Sequence, residues 1–268
     1  MNFEKMPVDF GDNYLWKYMD IHKFLYLIRE KKLFFTRLDG FEDSIEGASE
    51  ELLRDRAKTE LFLKIKNPNP AIYPNEDSFI KERNKYIEYL KEIDEEILFL
   101  QKQQYASCWF LSERESYAMW KLYSNPESVA VRFKPSLLLE EIERSVQNHP
   151  SHLYVDKIVG NVVEYRPLWP FEFDMSKYVE FKQEYVGLRK DTSFSSENEY
   201  RLLAIKSPNV GDHPCFELKL EGLFDLEFKI VTHPKMQAWM HDNIASVLKP
   251  YEIEGKLMRS EIWLRNAQ

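Results

Sequence analysis

The residues of this chain best suited to chemistry are two glutamates and an arginine at alternate positions. They are Glu197, Glu199 and Arg201, in the run FSSENEYRLLAI from Phe194 to Ile205. In an extended strand the three share one face, which Leu203 and Ile205 continue. A charged set that runs into an apolar stripe is partly enclosed, and enclosed carboxylates need a partner, which Arg201 supplies. Two uses fit: an ion pair inside a sheet, or a functional carboxylate pair perturbed by its arginine. A second acidic set, Asp43 and Glu46, lies in FEDSIEG just after a strand-like run. It can bind a cation or hydrogen-bond a ligand, or it can cap the next helix.

A third stretch, CWFLSERESYAMWKLYS from Cys108 to Ser124, concentrates aromatic residues around a charged turn. Ser112 and Glu115 have the spacing of a capping box. Ser116, Met119, Trp120 and Tyr123 then share a helical face. An aromatic stripe of this kind belongs in a core. The alternative puts Ser112 on the lip of a pocket walled by Trp120 and Tyr123. Other chemistry finds little support. Cys108 sits inside an aromatic strand, where a thiol is inert. Of the six histidines, only His149 and His152 are closely spaced, and a proline between them points to a loop rather than a zinc site. No metal site is expected.

The elements that must position these residues mix without strict alternation. Tyr14, Trp16 and Tyr18 mark a strand, and Asp20 caps a helix carrying Ile21, Phe24, Leu25 and Ile28 on one face. Strands are expected at Lys32–Leu38, Ala106–Leu111, Ser128–Phe133, Asn198–Ile205 and Leu223–Val231. His152–Tyr165 supplies one strand or two. Pro234 is read as opening a helix lined by Met236, Trp239, Met240, Ile244 and Val247, and the tail from Tyr251 as extended. Residues 48–104 differ: they are heavily charged, broken at NPNPAIYP, and carry the stripe Tyr86, Leu90, Ile93, Ile97 and Leu100. The expected fold is α+β, a mixed, mostly antiparallel sheet with flanking helices, in one domain spanning 1–268 with a charged helical hairpin inserted at 48–104.

Composition sets limits. The chain has 268 residues, and 37 basic against 45 acidic residues give a net charge of −8, which makes nucleic-acid capture unlikely. Two cysteines make no disulfide framework, and reduced thiols suit the cytoplasm. No signal peptide and no membrane span are read.

Four ordered motifs resemble the bacterial family known as domain of unknown function 2971. They are Leu15-Trp16-Lys17-Tyr18; Leu33-Phe34-Phe35 followed by Phe41, Asp43, Glu46 and Gly47; Cys108 to Tyr123 with Phe110, Ser112, Met119 and Trp120; and Lys190, Phe194, Glu197, Glu199, Tyr200 and Arg201. The resemblance spans most of the chain apart from the charged insert, and the family carries no established activity. A looser likeness is to ADP-ribosyltransferases. It implies NAD or a related nucleotide as substrate, with Lys17 or Tyr18, Ser112, Trp120 and Tyr123 around the ligand and Glu199 beside the bond that breaks, where Glu197-x-Glu199 matches the two-glutamate spacing of arginine-modifying members. The alternatives are a nucleotide- or partner-binding module of a defence or toxin-like system, docking a protein through helices 48–104, and a metal-dependent nuclease using Asp43, Glu46, Glu197 and Glu199.

Overall fold

Alternating side chains that are apolar on both faces specify a sheet covered on two sides, and β4 has that pattern from Gln104 to Ser112. The computed structural model describes residues 1–148, 154–167, 183–208 and 210–264. In chain order, β1 (Asn2–Lys5) and β2 (Tyr14–Met19) lead into α1 (Ile21–Glu30), capped by the Asp20 carboxylate, which accepts from the Lys23 amide. β3 (Lys32–Arg37) is followed by the hairpin α2 (Glu50–Leu63) and α3 (Glu76–Gln101), whose starts are capped by Ser49 and Asn75. Then come β4 (Gln104–Ser112), α4 (Tyr117–Tyr123), β5 (Val129–Phe133) and α5 (Pro135–Asn148). β6 (Val155–Val162), β7 (Glu164–Arg166), β8 (Arg189–Asp191) and β9 (Glu199–Lys206) follow. The last elements are β10 (Cys215–Lys219), β11 (Phe228–Thr232), α6 (Ala238–Leu248) and β12 (Leu257–Arg259).

The main sheet runs β1-β6-β9-β4-β2-β5-β11-β12, with β3 joined to β4 and β10 to β3. Its pairs are antiparallel except β1/β6 and β11/β12. The fold is thus α+β with a mostly antiparallel sheet, as expected. β4 forks the sheet. On one edge it pairs with β9 from Gln104 to Phe110. On the other, Phe110–Ser112 pair with β2, and Tyr105–Ala106 pair with β3.

The two faces differ. One carries Leu15, Val131, Trp109, Tyr200 and Leu202 into the large core, where Phe24 and Ile28 of α1, Leu138 and Ile142 of α5 and Ile244 and Leu248 of α6 are buried. The other is split between an aromatic cluster around Trp16 and Trp120 and a smaller patch around Leu38, Leu188 and Leu203. The hairpin adds its own patch, in which Ile93 and Ile97 meet Ala48 and Leu53. Farther out, Phe62 stacks on Tyr86 at 4.0 Å.

Several expected boundaries shift. Leu223–Asp225 is a 3-10 turn, and the strand starts only at Phe228. Pro234 lies in a turn closed by the Met236 amide on the His233 carbonyl, and α6 starts at Ala238. Its buried stripe is therefore Ile244 and Leu248, leaving Trp239 and Val247 exposed. The tail forms two 3-10 turns before β12. His149 and the start of the strand expected from His152 lie outside the described residues. Within them, β6 and β7 are separate strands. Among the described residues no helix is long and apolar enough to cross a membrane.

Candidate functional site

Arg201 is the centre of the charged set. It stands on β9 opposite Cys108 and is completely buried. Its Nε donates to Glu199 Oε2 at 2.7 Å and its Nη2 to Glu199 Oε1 at 3.3 Å, a two-pronged grip on one carboxylate. Its Nη1 donates to the Gly187 carbonyl at 2.7 Å. Glu46 pairs with the same guanidinium, and the Phe41 ring lies 5.7 Å from it. Lys190, from β8, adds a second cation. Its Nζ donates to Glu197 Oε2 at 2.5 Å and Glu199 Oε1 at 3.0 Å, and lies 4.0 Å from Glu46 Oε2.

Glu197 does not share a strand with Glu199. It ends a 3-10 turn over Thr192–Glu197, and Asn198 then adopts a left-handed conformation at φ 37°. Asparagine tolerates that region because its short side chain can bond locally. Here its Nδ2 donates to the Leu111 carbonyl at 2.5 Å. The reversal at Asn198 brings both carboxyls onto one lysine, which strand alternation alone would not do. Tyr123, at the end of α4, donates its hydroxyl to Glu197 Oε1 at 2.5 Å while its ring stays 47% exposed. Phe194 lies 4.5 Å from the Lys190 ammonium. The set is thus sealed beneath Glu46 and Arg201 and reaches solvent beside Tyr123.

Three carboxyls meet two cations, so the proton distribution is uneven. Burial pushes Glu197 up, and a hydrogen bond shared with Glu199 adds to that, against the pull of Lys190 and Tyr123. Burial also raises Glu46, despite Arg201 and Lys190. Burial acts on Glu199 in the same sense, but Arg201 and the bond from Glu197 outweigh it and hold Glu199 well below the usual range. Glu199 is therefore held toward the anion, while Glu197 is shifted the opposite way, toward holding its proton more tightly than a free carboxyl.

The residues expected around this site divide. Glu46 and Tyr123 join it. Asp43 does not: its Oδ1 accepts from the Ile45 amide at 3.1 Å in the turn that delivers Glu46. Lys17 lies on the opposite face of the sheet. It pairs with Val131, and its Nζ donates to Ser107 Oγ at 3.0 Å and the Cys108 carbonyl at 3.1 Å, inside the fork of β4. Burial lowers its pKa to about 8. Tyr18 is on the cluster's face, but its hydroxyl accepts from the Ser116 amide at 2.8 Å and anchors the start of α4.

Ser112 is not the cap of α4. Ser116 is, accepting from the Met119 amide, while Ser112 Oγ only accepts from Arg114 at 3.3 Å. Glu115 is accordingly free of the capping box. It accepts from the Trp120 indole at 2.7 Å, the Ser260 hydroxyl at 2.8 Å and the Glu261 amide at 2.6 Å. Trp120 is fully buried against Tyr18, 4.8 Å between centroids, and packs in the aromatic cluster with Trp16. Burial raises the thiol pKa of Cys108 strongly.

Sequence reasoning missed Lys190 as a site residue. Its place in a motif was the available signal, but no spacing announces that residue 190 folds back onto 197 and 199. A second buried set was invisible: Glu50, at the start of α2, pairs with Arg166 and with Arg189, the latter at 2.7 Å. β8 thus sends adjacent side chains into two ionic sets. Among the described residues no group of three His, Cys, Asp or Glu side chains is arranged to hold a metal, because the acids here face cations instead.

No curated protein and no solved structure matches the chain. A family described as protein of unknown function (DUF2971) matches over residues 119–202. That span includes Tyr123, Lys190, Phe194, Glu197, Glu199 and Arg201, and excludes Lys17, Asp43, Glu46 and Ser112. Over these residues, which carry most of the ionic cluster, the chain is similar to that family.

Proposed function

We propose that the cluster is the site of an ADP-ribosyltransferase-like reaction on NAD or a related nucleotide, on the side of the cluster that carries the exposed Tyr123. The observation that supports this most is the unequal carboxyl pair on Lys190, with Glu199 shifted well below the usual carboxyl range and Glu197 shifted above it. Cleaving the bond between C1′ of ribose and the nicotinamide nitrogen sends the bonding electrons to nicotinamide and leaves oxocarbenium-like charge on the sugar, until an acceptor nucleophile or water forms the new bond at C1′ and gives up its proton. A fixed carboxylate stabilises that charge, and a second carboxyl hydrogen-bonds a ribose hydroxyl. Phe194 is the aromatic surface for the base. Arg201 is a positioning residue that orients Glu199 from beneath.

The test is NAD binding and turnover by purified protein, with Glu197→Gln and Tyr123→Phe beside the wild type. Release of nicotinamide by the wild type, cut at least about 100-fold in Glu197→Gln while binding persists, supports transfer chemistry; general acid and base groups contribute about that much. Binding without turnover in all three supports a binding module instead. That reading has its own observation, the two-pronged hold of Arg201 on Glu199, which leaves this carboxylate little freedom. A protein partner of such a module would meet the hairpin, where Ile72, Ile80 and Phe99 are exposed.

A further inference from the structure

The sheet face that carries the ionic cluster holds a second cavity on the far side of Trp120, with a volume of about 630 Å³. That lies within the range of small-molecule sites. Its floor is made by Tyr14, Trp16 and Arg132, with Val231 and Met258 beside them. Arg132 stands opposite Trp16 in the β2/β5 register, so both project to this face. Its guanidinium lies 4.6 Å from the Tyr14 ring and 5.3 Å from the Trp16 ring.

That stacking holds the guanidinium in place and leaves its N–H groups unused. Arg132 makes no ion pair or hydrogen bond among the described residues, and its neighbour across β11 is another cation, Lys229. A half-buried arginine fixed on two aromatic faces and lacking an acid is built to meet a carboxylate brought by a ligand. The rim has the opposite character. Asp12, Glu113 and Glu261 line it, are exposed, and are likewise unpaired. Of the other cations there, Lys134 is paired with Glu227 at 3.2 Å and Arg114 is exposed. Acids outnumber cations on the rim, whereas the floor presents a cation.

We propose that this cavity binds a small zwitterion of the amino-acid class, with its carboxylate on Arg132 and an amine at the acidic rim. The proposal is independent of the chemistry assigned to Glu197 and Glu199.

The test uses L-lysine and two trimmed analogues, cadaverine without the carboxylate and hexanoate without the amines, titrated by calorimetry and protein NMR. The expected result is millimolar or tighter binding of L-lysine, with both analogues at least tenfold weaker. Arg132→Met should weaken L-lysine at least tenfold, and Arg132→Lys, which keeps the charge but loses the planar fork, should fall between. Near-UV circular dichroism shows whether these variants keep the native fold. If Arg132→Met does not fold, chemical-shift changes in the wild type at the Trp16 indole and Arg132 Nε decide the site. Three outcomes overturn the proposal: no binding of L-lysine, equal binding of either analogue, or shift changes elsewhere on the protein.

Discussion

At the scale of single residues, two neighbouring glutamates in sequence do opposite things. Glu199 neutralises a fully buried guanidinium, so Glu199→Gln leaves Arg201 short of its main partner and should cost about 3–5 kcal/mol in a denaturant melt. Glu197→Gln imitates the protonated carboxyl and should be tolerated. The pH dependence follows from the sign of the shift. The folded state holds the Glu197 proton more tightly than the unfolded chain, so that contribution is complete below the ordinary carboxyl range and is lost as pH rises through the folded value. Glu197→Gln should therefore gain stability relative to wild type as pH rises above the ordinary carboxyl range, and an unchanged difference would refute the assignment. Lys17 gives the reverse test. Its pKa of about 8 lies below the ordinary 10.5, so the folded state prefers the neutral amine. Wild-type stability should rise against Lys17→Met from about pH 8 to 10.5, by at most about 3 kcal/mol. The sequence made Glu199 and Arg201 legible because an acid and an arginine at alternate strand positions demand mutual pairing, whereas Glu197 reaches the set through the reversal at Asn198 and pairs with Lys190 instead. Lys17, which the sequence offers as a ligand contact, sits in the gap where β4 changes partners, bonded to Ser107 and Cys108.

At the scale of elements, α4 is short and is held at three points. Tyr18 receives its cap, Glu115 takes the Trp120 indole, and Tyr123 reaches Glu197. Glu115 also binds Ser260 and the amide of Glu261, so it ties α4 to the segment after β12. Glu115→Ala should cost about 2 kcal/mol, the order expected for bonds to a charged group, and should shift the near-UV signal of Trp120. Elsewhere, space rather than bonding limits change. A Cβ on Gly160 would come within 2.4 Å of the Tyr200 hydroxyl oxygen, so Gly160→Ala should lose about 1–3 kcal/mol by overpacking, measurable in the same melt. Helices with caps and stripes, such as α1 and α3, were legible in the sequence because both signals are local. The start of α4 was misread because Ser112 and Ser116 each precede a plausible first turn. The contacts that hold the Ser116 start, from Tyr18 to its amide and from Ser260 to Glu115, are distant in sequence.

At the scale of the whole molecule, the inserted hairpin has a working base and a separate tip. At the base, Glu50 closes the Arg166–Arg189 set, and Gln101 Nε2 donates to the Ser44 and Glu46 carbonyls at 3.0 and 2.8 Å, fixing the turn that presents Glu46. At the tip, Phe62, Tyr73, Phe79 and Tyr86 pack among themselves. Replacing residues 60–88 by a short turn should leave the main thermal transition within a few degrees, whereas deleting 48–104 should abolish it. The fold class was legible because periods of two and of about 3.6 residues were distinct along the chain. Strand order was not, because registers such as Asn2 with Lys157 and Cys215 with Thr36 join segments with no mark of each other in sequence. That order has a kinetic consequence. Within the main sheet only β3/β4 and β11/β12 pair consecutive strands, and each pair is separated by helices or turns. Without a tight hairpin in this sheet among the described residues, the chain must close long loops before ladder bonds reward it, which places folding toward the slow, high-contact-order end.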